Sequence, residues 1–384
     1  MLTLLLACAG EPPPPPTLST VRIDGPFRVE SNAMGVDGIR SQRDAISKAQ
    51  SDWAAQHPDV TVVQRFATMP FLTIRTPMNG GQALPFPGMP LRALSGPWST
   101  VVIDQGFKGV DLLDGACFTD GDCPGDIGLT TAAAGCVDCM HGAHVASVVH
   151  SAAPGLGVLG LRIFDNRSSM RQMDLLRALE FVHTRWAAEY HVAVVNLSLG
   201  LVDASGAPIT YDSARTCAEE NPALAWMVAT LRNDGIAVVA AAGDGRLDDR
   251  IALPACLPGV IAVGAATHDG KALAEASNIA PFLSVIAPGV DIDVPGGPAN
   301  GSSLAAPAVS ARIATLRAAD PEASLSTIEL AFFGTTEMVP ARGGKSVRAL
   351  RAAEPAPSAP ATLPPGPTTL PPGPTTPPPG PTTP

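Results

Sequence analysis

The chain has 384 residues, 46% of them apolar, enough to bury one large core with appendages or two smaller ones. It carries 25 Lys and Arg against 35 Asp and Glu, a net charge of −10, and no basic cluster or basic helix, which excludes nucleic acid as the expected partner. No run of about 18 apolar residues occurs, so no transmembrane helix is predicted.

Residues 1–16, "MLTLLLACAGEPPPPP", join a short apolar run to a proline tether. Leu5-Leu6-Ala7-Cys8 resembles the lipobox of bacterial lipoproteins, in which the cysteine is lipidated, so Cys8 is the lipidation candidate. The run is shorter than a full secretory signal and lacks a basic start, so an upstream initiation codon is expected. Membrane contact is expected only through that anchor. Residues 17–80 read as a small α+β unit: a strand-like "TVRI", a helix-like "RDAISKAQSDWAAQH", then "VTVVQRF" and "PFLTIRT". Gly, Pro and Met mark 81–97 as a linker.

From 98 to 345 the pattern changes. The runs "STVVID", "VLGLRIF", "VAVVNLS", "IAVVAAA", "VIAVGA" and "LSVIA" alternate with helical stretches. Strands apolar on both faces and separated by helices predict an α/β fold: a doubly wound, mainly parallel sheet with helices on both sides, three layers in all. Leu175, Leu179, Val182 and Trp186, spaced four, three and four apart, give one helix its buried face. From 349 to 384 the composition turns proline-rich, with three copies of a unit such as "LPPGPTT" between 363 and 383; it reads as a disordered spacer.

Three segments place reactive side chains at strand ends or helix starts. "VVIDQGF" ends a strand on Asp104; "HGAHVASVV" opens a helix with His141; "NGSSLAAPAVS" leads Ser302 and Ser303 into another helix, with Pro307 expected in its tolerant first turn. Singly, each is an ordinary cap. Together they offer an acid, a base and a nucleophile at the working edge of a doubly wound sheet.

These segments resemble the subtilisin-like serine proteases. The family's D-[ST]-G stands as Asp104-Gln105-Gly106, H-G-T-H-V-A as "HGAHVA", S-L-G as Ser198-Leu199-Gly200, and G-T-S-M-A-x-P as "GSSLAAP". The resemblance implies a serine endopeptidase acting through an acyl-enzyme: Ser303 attacks, His141 takes and returns its proton, and Asp104 orients the imidazole. It implies that Ser198, Leu199 and Gly200 pair with an extended substrate strand, and that these segments with Ala241, Ala242 and Gly243 bound the first specificity pocket. The small Ala252 and the lack of an obvious charge favour an uncharged P1 side chain. The 17–80 unit resembles the family's inhibitory propeptide in outline. The expected partner is a peptide or protein substrate, the expected state a monomer, and the expected location extracytoplasmic, either secreted or in a bacterial envelope as an outer-membrane lipoprotein.

One position departs from the family. An Asn follows the strand "VVAAAG" there and donates to the oxyanion; here the residue is Asp244. Removing that donor in subtilisin costs about 10²- to 10³-fold in turnover, and an ionised carboxylate only accepts hydrogen bonds. A protonated Asp244, as the Asp of some subtilisin-like convertases and of the sedolisins implies, restores a donor. Alternatively, Ser303 N–H and the Ser302 hydroxyl carry the oxyanion hole. The expectation is an acid-tolerant or slow protease; the competing one is a silent subtilase fold that binds extended peptides or a partner.

Cys117, Cys123, Cys136, Cys139, Cys217 and Cys256 make an even set, which in an exported chain predicts disulfides over zinc. The first four fall between acid and base and predict two local bridges; Cys217 and Cys256 flank "IAVVAAAGD" and are placed to staple neighbouring loops. No cofactor is required. Asp120, Asp122 and Asp126 offer carboxylates to a structural calcium ion, but "TDGDCPGD" lacks an EF-hand's closing Glu and reads first as a surface loop. His141 and His144 lack the glutamate of a zinc-protease motif, so no metal site is assigned. His57, His150, His183, His191 and His268 show no partners in the sequence.

Overall fold

The structure, a computed structural model, describes residues 17–30, 34–58, 60–76, 95–119, 123 and 139–350. Cys8, the acidic triplet Asp120, Asp122 and Asp126, Cys136, most of the linker and the proline-rich tail lie outside the described residues.

The amino-terminal unit contains β1 (Thr17–Arg22), α1 (Gly35–Gln56), β2 (Thr61–Arg65) and β3 (Phe71–Thr76), with an antiparallel sheet in the order β1-β3-β2. Ala49 and Trp53 of α1 pack with Val21, Val62 and Leu72. Gln50 is buried and its amide donates to the carbonyls of Phe66, Met69 and Phe71 at 2.8, 3.1 and 2.9 Å. One helix side chain thus fixes the 66–71 turn. Phe66, Met69 and Phe71 bury themselves in the same apolar cluster as Leu175, Leu179, Met227 and Val228 of the larger body. Phe71 meets Trp226 edge-on at 6.2 Å between ring centres. Each such side chain contributes roughly 1.5–3 kcal/mol, so the unit sits on the body by apolar contact first.

The body follows in chain order: β4 (Ser95–Asp104), β5 (Asp114–Cys117), α2 (His141–Ala152), β6 (Gly157–Arg162) and α3 (Gln172–Phe181). A π-helical turn (Val182–Trp186) and α4 (Ala187–Glu189) lead to β7 (Tyr190–Leu197). Next come β8 (Thr210–Tyr211), α5 (Ala214–Glu220), α6 (Pro222–Asn233), β9 (Ala237–Ala241), β10 (Ile251–Ala252) and β11 (Val260–Ala266). β12 (Val285–Pro288), β13 (Ile292–Val294), β14 (Gly297–Ala299), α7 (Ser302–Ala319), α8 (Leu325–Gly334), β15 (Thr336–Pro340) and β16 (Ser346–Leu350) complete it.

Nine strands form one sheet in the order β15-β16-β12-β11-β9-β7-β4-β6-β5, parallel except for β15. The six predicted runs are β4, β6, β7, β9, β11 and β12. Side chains alternate between two cores: Val195, Val238 and Ala240 face the layer of α3 and α6, while Val194, Val239 and Ala241 face α7. Both faces are covered, which is why these strands read as continuous apolar runs. The predicted helical face is buried as expected, with Leu175, Leu179, Val182 and Trp186 all inside.

The body starts at Ser95 rather than 98 and ends at Leu350 rather than 345. Ala349 lies 1% exposed between β12 and β15, so the first residues assigned to the tail belong to the sheet.

Candidate active site

Asp104 is the last residue of β4, His141 the first of α2 and Ser303 the second of α7. Parallel strands bring their carboxyl ends to one edge, and the helices that enter there deliver the other two groups. The approach of α2 depends on Gly142, where a Cβ would lie 2.5 Å from the Gly106 carbonyl oxygen and 3.0 Å from Asp104 Cβ.

His141 Nδ1 lies 2.7 Å from Asp104 Oδ1, which also accepts from the Gln105 N–H at 2.7 Å. Asp104 is buried, and its Oδ2 has no partner among the described residues. The Asp104 charge raises the pKa of His141 above the ordinary histidine value; burial opposes this and the hydrogen bond adds to it. The imidazole is therefore oriented, with its base strengthened. Ser303 Oγ donates to the Ser198 carbonyl at 3.3 Å, so proton transfer to His141 requires the hydroxyl to leave that carbonyl.

Asp244 follows β9 beyond Gly243. Its carboxylate faces the start of α7: the Ser302 N–H donates to Oδ1 and Oδ2 at 2.9 and 3.1 Å, and the Ser302 hydroxyl donates to Oδ2 at 3.0 Å. The same hydroxyl accepts from the Gly243 N–H at 3.1 Å. Ser302 was expected to lend its hydroxyl proton to the oxyanion; in this arrangement the proton is committed to Asp244. The Ser303 N–H, in the open first turn of α7, has no acceptor among the described residues.

Asn278, buried and unanticipated, holds the Asp244 loop. Its Oδ1 accepts from the N–H groups of Gly245 and Leu247 at 2.9 and 3.0 Å, and its Nδ2 donates to the Ala242 carbonyl at 3.0 Å. Gly243, at φ +95°, could carry no side chain there, since a Cβ would stand 2.6 Å from Asn278 Nδ2.

Pro307 is not in the first turn, because α7 already starts at Ser302. Lacking an N–H, it leaves the Ser303 carbonyl without its partner four residues on. The Ser198 hydroxyl fills the gap, donating to that carbonyl at 2.7 Å. Ser198 thus anchors the backbone of Ser303.

A cavity of about 650 Å³ adjoins these groups, lined by Leu199, Gly200, Leu201, Ala241, Gly243, Asp244, Leu247, Arg250, Ala252, Ser302 and Ser303 among others. Leu199, Gly200, Ala241 and Gly243 line it. Ala242 does not: it is fully buried and its backbone is paired with Val263 and Ala252. The wall is largely apolar but includes Asp244 and Arg250, so the lining is not free of charge.

Cys117–Cys123 and Cys217–Cys256 are disulfides, and Cys139 is disulfide-bonded. Of the remaining histidines, His57 contacts the Trp53 carbonyl and His268 the Val290 carbonyl. His183 is different, being buried among carboxylates on the seam with the amino-terminal unit. Nothing in its local sequence marks it, because its partners lie 153 and 51 residues away.

Fold and site together define a subtilisin-like α/β protein with an Asp, His and Ser arranged at the carboxyl edge of its sheet. The subtilase family profile matches residues 134–348, over half of the chain, and the chain belongs to that family. It is 32% identical over 191 residues to a thermophilic serine proteinase of Bacillus sp. strain AK1, covering 46% of this chain and 42% of that protein. An extracellular serine proteinase of Thermus sp. strain Rt41A is 28% identical over 218 residues, 53% and 48% of the two chains. The chain thus spans about half the length of these curated relatives or less. Among solved structures, a cold-adapted subtilisin-like serine proteinase aligns with a TM-score of 0.51 at 19% identity, over 69% of this chain and 90% of that one. A lanthipeptide protease aligns at 0.50 and 16%, over 66% and 84%. At these identities the likeness is one of fold.

Proposed function

We propose that the protein is a serine endopeptidase that cleaves peptide bonds through Asp104, His141 and Ser303. The observation that carries this reading is the 2.7 Å contact between His141 Nδ1 and buried Asp104 at the edge where Ser303 opens α7. Ser303 Oγ attacks the scissile carbonyl as His141 Nε2 takes its proton, the tetrahedral oxyanion draws on the Ser303 N–H and the α7 dipole, and His141 returns the proton to the leaving amine. The mostly apolar cavity favours apolar P1 side chains. Hydrolysis of a protein substrate that is lost in Ser303→Ala and His141→Ala tests this; unchanged hydrolysis in either variant contradicts it.

Asp244 gives the proposed enzyme its character. As an acceptor-only group beside the oxyanion it slows catalysis. The same feature supports the second reading, a subtilase fold that binds extended peptides without cutting them. Turnover of a peptide at any pH decides between the two.

The amino-terminal unit is proposed to act as an inhibitory propeptide; its apolar seating on α3 and α6 supports this. The disulfides and the extracellular relative support an extracytoplasmic location; Cys8 is proposed as a lipid anchor and the working form as a monomer. A calcium ion at Asp120, Asp122 and Asp126 is structural if present, and no step of the chemistry uses it. Intact-mass analysis of the native protein reads lipid, disulfides and cleavage together.

A further inference from the structure

A buried charge cluster lies on the seam between the amino-terminal unit and the body. His183, in the π-helical turn after α3, has its side chain 6% exposed. Its Nδ1 stands 2.5 Å from Asp234 Oδ2 at the end of α6, and its Nε2 stands 2.9 Å from Glu30 Oε2, ahead of α1. Both neighbours are carboxylates, which only accept. Each ring nitrogen therefore carries a hydrogen, and the ring is an imidazolium.

Arg43 of α1 grips the same Glu30 with a fork, Nε to Oε1 at 2.9 Å and Nη2 to Oε2 at 2.6 Å. Its Nη2 comes within 3.3 Å of His183 Nε2 because the two donors share Glu30 Oε2. Asn233 donates to the Glu30 carbonyl at 3.0 Å. One helical turn before His183, Glu180 accepts from the Thr68 N–H and hydroxyl at 3.0 and 3.2 Å, and its Oε2 has no partner among the described residues. The charged groups facing the ring are thus Glu180 and Asp234 from the body and Glu30 and Arg43 from the unit.

We propose that His183 is a proton-operated latch: while doubly protonated it ties Glu30 of the amino-terminal unit to Asp234 of the body, and on losing a proton to water it loosens the unit. A neutral imidazole donates to one carboxylate only and turns a ring lone pair on the other at under 3 Å. Arg43 alone is then left to neutralise Glu30. The consequence for activity, relief of inhibition in alkali, rests on the propeptide reading proposed above; the latch itself does not.

The direction of the pH effect follows from the same contacts. Burial opposes the His183 charge, but the hydrogen bonds to Asp234 and Glu30 outweigh it and push its pKa up to about 9. Released, the ring returns toward the ordinary value of about 6.5. Its contribution to docking is therefore complete below about 6.5 and is lost as pH rises through about 9. Burial likewise pushes Glu180 up to about 7, so its contribution fades as pH rises from its ordinary range through 7. Glu30 acts oppositely. Burial resists its ionisation, but Arg43 and His183 prevail and hold its pKa below the ordinary value, so its contribution is lost only in stronger acid. Docking is tightest at mildly acid pH and weakens toward alkali by up to about tenfold per pH unit in the His183 window.

The test uses the full chain carrying Ser303→Ala, with a thrombin site inserted in the 81–97 linker, cut after folding and immobilised through the body. Retention of the released unit is followed from pH 6.5 to 9.5. The dissociation half-life should shorten at least tenfold across that range, and His183→Gln should flatten the dependence above pH 7. Equal pH dependence in both proteins, or no dissociation from either, overturns the latch. Should His183→Gln fail to fold, ¹⁵N spectra of the histidine rings in the unaltered His183 chain decide: two ring protons on His183 at pH 8 are expected, and one overturns it. If nicked protein with Ser303 intact gains no activity when the unit leaves, the inhibitory reading fails while the retention profile still judges the latch.

Discussion

Asp244 and Ser302 are locked together, with the Ser302 N–H reaching both carboxylate oxygens and the Ser302 hydroxyl donating to Oδ2 at 3.0 Å. A carboxylate held this way caps the amino terminus of α7, where negative charge is favoured by the helix dipole. It occupies the place where the family's Asn donates to the oxyanion. In the proposed enzyme one side chain thus stabilises the helix that carries Ser303 and withholds a hydrogen bond from the oxyanion.

Asp244→Asn separates the two roles. An Asn oxygen can still accept from the Ser302 N–H while its amide supplies the missing donor. Turnover above neutral pH should rise by up to about 100-fold, the range associated with one such donor, at a cost to stability of about 1 kcal/mol or less from the lost charge at the helix terminus. Steady-state kinetics at pH 8–9 check this. No rise there would show that the Asp244 carboxylate is not what limits turnover.

Asp104→Asn should lower kcat by about 10⁴-fold with little change in KM, because the amide can hold the imidazole in the wrong tautomer. A loss of tenfold or less would show that His141 is not the working base.

The pH profile of the unmutated protein carries its own signature. Asp104 raises the His141 pKa, and the base must be neutral to act, so the rising limb of kcat/KM should lie above the ordinary histidine value of about 6.5. The stability gained from the charged pair runs the other way, complete below about 6.5 and lost as pH rises through the elevated value. A limb at or below 6 would contradict the assignment.

Ser198→Ala removes the hydroxyl that satisfies the Ser303 carbonyl freed by Pro307. An unsatisfied buried carbonyl costs about 1–3 kcal/mol, so Tm and kcat should both fall. Adding Pro307→Ala, which returns an N–H four residues after Ser303, should recover part of the loss in a double-mutant cycle. Additive losses would contradict the shared role.

Two of the disulfides close loops of different length, with sequence separations of 39 for Cys217–Cys256 and 6 for Cys117–Cys123. In the chain-entropy account these are worth about 4 and about 2 kcal/mol. Calorimetry of Cys217→Ala/Cys256→Ala should therefore show the larger loss of stability. The reverse ranking would contradict it.

The sheet was legible because its strands are buried on both faces: Val194 and Val195, or Val238 and Val239, point to opposite cores, so each run is apolar without interruption. The terminal hairpin was not, since β15 carries exposed residues such as Met338 and β16 alternates exposed and buried positions beside the proline-rich composition. Asp104, His141 and Ser303 could be found because each sits in a short motif at an element boundary. Asn278 and His183 could not, because what they do depends on partners brought from distant segments by the fold. Ser302 was visible as a residue, but its hydrogen-bond direction was set by the Asp244 carboxylate, which only the folded arrangement reveals.

The proposed chemistry requires Ser303 to be an activated nucleophile. Fluorophosphonate labelling of the purified full chain at pH 5–9, followed by mass analysis of the modified peptide, tests it most directly. One covalent adduct is expected, on Ser303, abolished in Ser303→Ala and greatly slowed in His141→Ala. Folded protein that takes no label at any pH, or takes it equally in Ser303→Ala, would contradict it.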